Sequence, residues 1–142
     1  MSFLAELGEI LARHLAEAGA GVYRPDGVYL PGETGIVFGA VPAEPARVLA
    51  LLLYPLTADT DADAEYGLRI RYRSAGQDPR DALELVDVAF DALAGASEQQ
   101  LGLAVHLITR ETSNPSGNDQ NGRYLHTDTY QIRAHHPTRY RQ

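Results

Sequence analysis

The 142-residue chain contains neither cysteine nor lysine, and its longest apolar run, Val48 to Tyr54, is short. Without cysteine there is no disulfide scaffold, no thiolate nucleophile and no cysteine-ligated zinc or iron–sulfur site. A membrane-spanning helix needs about 20 apolar residues, far more than this run supplies. We therefore expect a protein that is made and kept in water, with no membrane partner.

Sequence motifs of common enzymes are also missing. There is no Gly-x-Ser-x-Gly, no Walker loop and no Gly-x-Gly-x-x-Gly that opens a helix after a strand. The five histidines lack zinc-protease spacing, although His106 and His126 fall on two late predicted strands and could be cross-strand neighbours. With so few candidate nucleophiles and bases, we expect no catalysis and no cofactor. A small cellular enzyme or ligand-binding domain remains an alternative.

An acidic segment, Asp59 to Glu65, carries carboxylates at alternating positions, as the start of a calcium loop does. An EF-hand needs glycine at its sixth position and a carboxylate at its twelfth. Ala64 and Ile70 occupy those positions here. The segment is therefore interpreted as a solvated acidic turn, and no metal is expected.

Charge is distributed unevenly along the chain. The formal net charge is −7, and residues 1–66 carry all of it, whereas residues 67–142 balance at zero. An acidic chain binds the phosphate backbone poorly, because that affinity comes from clustered cations that release counterions. All twelve basic residues are arginine, which suits protein interfaces because its guanidinium is planar and weakly hydrated. A GC-rich genome is the other explanation for that usage.

Hydrophobic periodicity predicts two helices and five strands. Residues 2–18 form an amphipathic helix capped by Ser2 and ended by Gly19, and Asp78-Pro79 begins a second helix that Gly95 closes. We expect one α+β domain, residues 1–134, with a mixed or antiparallel sheet of about five strands and both helices packed on one face. Residues 135–142 are expected to be a polar tail. The predicted strands cover residues 35–40, 47–56, 68–73, 101–110 and 122–134.

Two of these strands have further expected properties. Residues 47–56 are so continuously apolar that we expect a strand buried on both faces. In residues 68–73, Arg69, Arg71 and Arg73 alternate with apolar residues, which predicts a strand with one wet face.

The three arginines form the most suggestive charge pattern in the chain. Guanidinium groups on one strand face repel one another unless anions lie opposite. Those anions are either carboxylates of this chain, on an adjacent strand or in the acidic turn, or carboxylates of a neighbouring subunit; DNA is a weaker third alternative. The acidic first half of an identical copy would suit, and such contacts can close into a ring.

A polar stretch, Ser113 to Asn121, separates the last two predicted strands and is expected to be a loop. Long loops in compact domains often serve as binding or assembly arms, although a merely tolerated surface loop is an equal alternative. Together with the three arginines, the candidate subunit or partner contacts are Asn114, Asp119, Asn121, Gly122 and Arg123.

Several segments occur in one order from the first residue to about Arg133, and the ordered set resembles the minor capsid, or tail-terminator, proteins of siphophages that infect actinobacteria. The segments are residues 1–7 (MSFLAEL), 23–29 (YRPDGVY), 33–37 (ETGIV), 53–55 (LYP), the Arg71-x-Arg73 pair, 78–81 (DPRD) and 119–123 (DQNGR).

This resemblance implies a structural virion protein with an α+β fold and no catalytic residues to carry over. It implies a homohexameric ring that caps the head-proximal end of the tail tube. The partners would be the tail tube protein and the head-side connector, or stopper, and the genome would pass through the lumen without specific binding. The location would be the virion tail, and the host cytoplasm during assembly. A head-completion or neck protein is the alternative role.

Overall fold

Six strands and three helices make up the described part of the protein. The computed structural model describes residues 2–58 and 62–140, so Asp59, Thr60 and Asp61 of the expected acidic turn lie outside the described residues. In chain order, the elements are α1 (Phe3–Glu17), β1 (Val22–Tyr23), β2 (Gly35–Phe38), β3 (Val48–Ala58), β4 (Asp63–Arg73), α2 (Pro79–Leu93), α3 (Glu98–Leu101), β5 (Val105–Asn118) and β6 (Tyr124–His135).

The strands form a single mixed sheet in the order β1-β2-β3-β4-β6-β5. The strands β1, β2 and β3 run parallel to one another, and the pairs β3–β4, β4–β6 and β6–β5 are antiparallel. The predicted α+β class with a mixed sheet is confirmed. The strand that sequence reasoning missed is β1, because two residues are too few to show a periodicity.

Both long helices pack on the same face of this sheet, as predicted. From α1, Leu7, Leu11 and Leu15 are fully buried against the apolar side chains of the sheet. Side chains alternate between the two faces of a strand, so Leu68 and Tyr72 of β4 point toward the helices and are fully buried too. The core is therefore the layer between the helices and one face of the sheet.

The predicted helix boundaries are confirmed by their caps. The Ser2 hydroxyl accepts a hydrogen bond from the Ala5 backbone N–H at 3.1 Å, and the Asp78 carboxylate accepts one from Arg80 N–H at 3.0 Å. These bonds satisfy N–H groups that have no partner within the first helical turn. At the other ends, Gly19 and Gly95 adopt φ of 90° and 81°, which glycine reaches without steric cost.

The expectation that residues 47–56 are buried on both faces is only half right. Val48 to Leu51 are buried, but Leu52 is 37% exposed and Leu56 is 46% exposed. The reason lies in the sheet, because Leu52 shares the side of Arg69, on the face opposite the helices, and β2 pairs with β3 only as far as Leu51. Strand length alone did not reveal where the neighbouring strand ends.

The expected loop at residues 113–121 is wrong, because β5 continues through it to Asn118. Asn, Pro and Gly disfavour strands on average, yet β5 is an edge strand, where proline is tolerated. Its pairing with β6 shifts register at three places, which accommodates Pro115 and Gly117. The true turn covers only residues 119–123. Earlier in the chain, residues 98–101 form the short helix α3, so the strand predicted to begin at Leu101 begins at Val105.

Leu11→Ala tests the packing between α1 and the sheet. Because Leu11 is fully buried, we expect a loss of about 2–5 kcal/mol in the free energy of unfolding, measured by urea denaturation. Leu107→Ala is the matched control, since Leu107 is 47% exposed and surface substitutions usually change stability by no more than about 0.5 kcal/mol. Equal losses for the two variants would contradict the assignment of the core.

Candidate subunit interface

Among the described elements, none packs over the centre of the sheet face opposite the helices, and we call this face the open face. The pairing registers place the odd-numbered residues of β4 on this face, beside the residues of β3 and β6 directly opposite them. Its central residues are Ala50 and Leu52 of β3, Arg69 and Arg71 of β4, and Thr127 and Thr129 of β6.

Arg73 shares the open face with the other two arginines but is buried, at 3% exposure. Its guanidinium donates hydrogen bonds to the backbone oxygens of Ala46 at 2.7 Å and Pro45 at 2.8 Å. Burial lowers the pKa of this guanidinium from its ordinary value, and the nearby cation of Arg123 acts in the same direction. Arg73 therefore holds the segment before β3 against the end of β4.

With the carboxylates that the structure describes, Arg69 and Arg71 do not form the ion pairs that were considered within the chain. Arg71 is exposed and Arg69 is half-buried, and across residues 2–58 and 62–140 neither forms an ion pair. The carboxylates of Asp63 and Glu65 instead pair with Arg133, at 3.2 and 3.1 Å. The centre of the open face thus carries two cations whose charge the described carboxylates do not compensate.

The turn between β5 and β6 is organised by Asp119. Its Oδ1 accepts hydrogen bonds from the backbone N–H groups of Asn121 and Arg123, both at 2.9 Å, and its Oδ2 accepts one from the Arg123 guanidinium at 2.7 Å. Burial acts to raise the pKa of Asp119, but the bonds from Arg123 and Asn121 outweigh it and leave the pKa below its ordinary value. Gly122 takes a φ of 76°, which closes the turn.

The predicted contact residues fall into two groups: those that lie where Arg73 meets the turn, and the exposed residues Asn114 and Asn121. The arginines and the turn meet where Arg73 Nη1 lies 3.9 Å from Asp119 Oδ2, beside a surface depression of about 320 Å³ that Arg71 also lines. Asn114 is exposed on β5 opposite Thr127 of the open face. Asn121 is exposed at the turn, away from Arg69.

Carboxylates on the outer side of α2 were not singled out from the sequence. The buried stripe of α2 is Ala82, Leu85, Val86, Ala89 and Leu93, and Glu84, Asp87 and Asp91 lie on the opposite side of the helix and are exposed. Glu84 approaches Arg47 at 3.5 Å. Among the described residues, Asp87 and Asp91 form no ion pair. The sequence signal that could have revealed this acidic side of α2 was the spacing of Glu84, Asp87 and Asp91, which are three and four residues apart. Phe90 flanks this surface at 40% exposure.

Beneath α2, the core contains a serine, a histidine and an aspartate that lie close together. Ser113 Oγ is 2.9 Å from Nε2 of His126, and Oδ1 of the fully buried Asp128 is 3.4 Å from that same nitrogen. A catalytic triad needs the nucleophile and the carboxylate on opposite ring nitrogens. Here Nδ1 of His126 faces the Tyr124 hydroxyl at 2.9 Å, so Ser113, His126 and Asp128 are not arranged as a catalytic triad.

This cluster is better explained as core polarity. The Tyr72 hydroxyl donates to Asp128 Oδ2 at 2.9 Å, which compensates part of the cost of burying the carboxylate. Burial lowers the pKa of His126 and raises that of Tyr72. The sequence signal was an aspartate within the alternation of buried residues along β6, which the prediction did not use.

His106 and His126, which the sequence allowed as cross-strand neighbours, are not neighbours in the sheet. His126 is paired with Pro115, whereas His106 lies at the other end of β5, with Nε2 3.2 Å from Asp63 Oδ1. The register of the hairpin separates the two histidines. Within the described ranges, no three histidine or carboxylate side chains come together as metal ligands would.

Comparison with known families decides the assignment. A model of the bacteriophage tail terminator protein family matches residues 14–135. The chain belongs to the bacteriophage tail terminator family. No curated protein matches the chain.

The family match begins in the last turn of α1 and covers α2 and all six strands, including the open face. It gives the chain a structural role in the phage tail, places it in the tail of the virion and implies contact with tail and head components. Across residues 2–58 and 62–140, no helix is both long and apolar enough to span a bilayer.

Asp119→Asn tests the turn that the tail terminator presents beside its arginines. A carboxyl whose pKa is lowered by folding stabilises the protein above its unfolded pKa of about 4, and this contribution is lost as the pH falls through the lower, folded value. We expect the variant to melt at a lower temperature than the parent at pH 7. The difference should shrink below pH 4 in a calorimetric series. A difference that is constant with pH would contradict the assigned role of the carboxylate.

Proposed function

We propose that this tail terminator forms a homohexameric ring that caps the head-proximal end of the tail tube and joins it to the head-side connector. The observation that carries this proposal is the family match over residues 14–135. One side of the ring contacts the last ring of tail tube protein. The other side does not bind a further tube ring. It contacts the connector, or stopper, so that growth of the tube ends there.

The open face supports the assembly part of this proposal. A sheet face that carries two uncompensated arginines beside Leu52, which is 37% exposed, is suited to contact with another protein surface. Arginine is enriched in such contacts because it pairs with carboxylates through several donors and loses its hydration readily. The turn at residues 119–123 borders the same face through Arg73, and we include Asn114, Asn121 and Gly122 in the proposed contact region.

The charge of the chain supports a role in which DNA passes without specific binding. At a net charge of −7, the subunit repels the phosphate backbone at long range, so a lumen lined by such subunits would not retain the genome. The use of arginine in place of lysine supports a GC-rich, actinobacterial host. Assembly would take place in the host cytoplasm before the tail joins the head.

Deletion of the gene from its phage tests the terminator role. Without a cap, tube subunits continue to add, so we expect overlong tails in negative-stain images of lysates. Supplying the protein from a plasmid should restore a single tail length. A matched control is a plasmid that encodes the Leu11→Ala variant, whose core we expect to be less stable.

The outcomes separate the two roles in the virion. Tails of normal length that are detached from full heads would contradict the terminator role and favour a head-completion or neck protein. Normal, infectious virions in the absence of the protein would contradict both roles and leave the alternative of a small cellular protein.

A further inference from the structure

The structure carries a specific proposal for how copies of the subunit contact one another, which rests on the proposed ring. We propose that, on the open face of one subunit, Arg71 binds Asp87 and Arg69 binds Asp91 on the outer side of α2 of the next subunit. The partner is therefore a second copy of this chain, and the contact is head-to-tail.

The acidic first half of the chain is a poorer partner for the arginines than its charge suggests. Four of its eight described carboxylates already form ion pairs within the subunit. Glu9 pairs with Arg13 at 2.7 Å, Glu33 with Arg24 at 2.6 Å, and both Asp63 and Glu65 with Arg133. Glu6, Glu17 and Glu44 are exposed and form no ion pair among the described residues, but they lie far apart in the chain. Asp87 and Asp91 are likewise exposed and without an ion pair among those residues, and they lie about one turn apart on α2.

The spacing of the two charge pairs matches. Arg69 and Arg71 are two residues apart on a strand and therefore about 7 Å apart along it. Asp87 and Asp91 are four residues apart on a helix and therefore about 6 Å apart along its axis. A helix laid along β4 of its neighbour can thus bring each carboxylate to one guanidinium, in the geometry that arginine and carboxylate favour.

Apolar residues accompany both charge pairs. Leu52 is the direct cross-strand partner of Arg69 on the open face. On α2, Phe90 is 40% exposed beside Asp87 and Asp91. Burying such residues between charged pairs supplies affinity, while the charges fix the register of the contact.

The two surfaces lie on opposite sides of the subunit. The helices cover one face of the sheet, and Asp87 and Asp91 point away from it, whereas Arg69 and Arg71 are on the open face. A subunit cannot satisfy its own charges in this arrangement, so the contact forms only between copies. A head-to-tail contact of this kind closes into a ring when its rotation divides the circle, and otherwise it extends as a filament.

Edge-to-edge pairing of sheets is a less suitable contact. The outermost strand β5 contains Pro115 and three register shifts, and the outermost strand at the other edge, β1, has only two residues. Proline, bulges and short strands are the features by which proteins prevent a sheet edge from pairing with another chain. The faces of the subunit are therefore better suited to assembly than these edges.

A charge exchange between the two surfaces tests the proposal. The variants are Arg71→Glu, Asp87→Arg and the double variant that carries both changes. Each single variant places like charges together, so we expect association to weaken on the order of tenfold or more. The double variant restores opposite charges at every contact, and it should associate as the parent does. Glu17→Arg is the matched control for Asp87→Arg, because it also replaces a carboxylate by a guanidinium, at an exposed position of α1.

Mixing the two single variants gives the sharpest result. In an alternating assembly, the glutamate introduced by Arg71→Glu in one copy meets the arginine introduced by Asp87→Arg in the next, and every remaining contact is of the parental type. We expect an equimolar mixture to recover assemblies with an even number of subunits, although each variant alone associates more weakly than the parent. Oligomer mass is measured by light scattering, occupancy of purified tail-tube ends by electron microscopy, and folding by thermal melting.

The results distinguish this contact from the ring itself. Single variants that assemble and cap tubes as the parent does would overturn the contact while leaving the terminator role intact. Folded single variants that fail without recovery in the mixture would overturn the pairing of these particular surfaces. If the parent never occupies tube ends, the proposed function fails, and oligomer mass alone then decides the contact.

Discussion

The alternation of side chains along β4 is the constraint on which the rest of the structure depends. Leu68, Ile70 and Tyr72 must lie on the face that the helices cover, because their burial forms the core. That requirement forces Arg69 and Arg71 onto the other face, where no helix packs. A shift of one residue in this register would bury two guanidinium groups and expose the core of the subunit. The charged open face is thus a direct consequence of how the subunit folds.

The far end of the same strand shows how one residue type takes two roles. Arg73 continues the alternation of Arg69 and Arg71, but it is enclosed by the segment before β3 and by the turn at Asp119. It fixes the border of the open face, and the two exposed arginines remain for contact with another molecule. Because Asp119 also closes the turn, the position of residues 119–123 is coupled to the end of β4.

The helices, the class of the sheet and the charged strand could be predicted from the sequence because each depends on local information. A cap such as Asp78 and an alternation such as residues 68–73 are set within a few positions of the chain. The extent of β5 could not be predicted, because Pro115 and Gly117 are tolerated only at an edge, and strand order decides which strand that is. Burial of Arg73 likewise depends on backbone oxygens about 27 residues away in the chain. The polar cluster at Asp128 depends on packing beneath α2, which local patterns do not encode.

A cryo-EM map of the terminator bound to the end of a tail tube tests the central claim most directly. It would show which surface of each subunit covers Arg69 and Arg71. The account predicts a closed ring in which α2 of one subunit lies along the open face of its neighbour, with carboxylates beside both arginines. A ring in which the open face meets solvent, or only the tube, would contradict it.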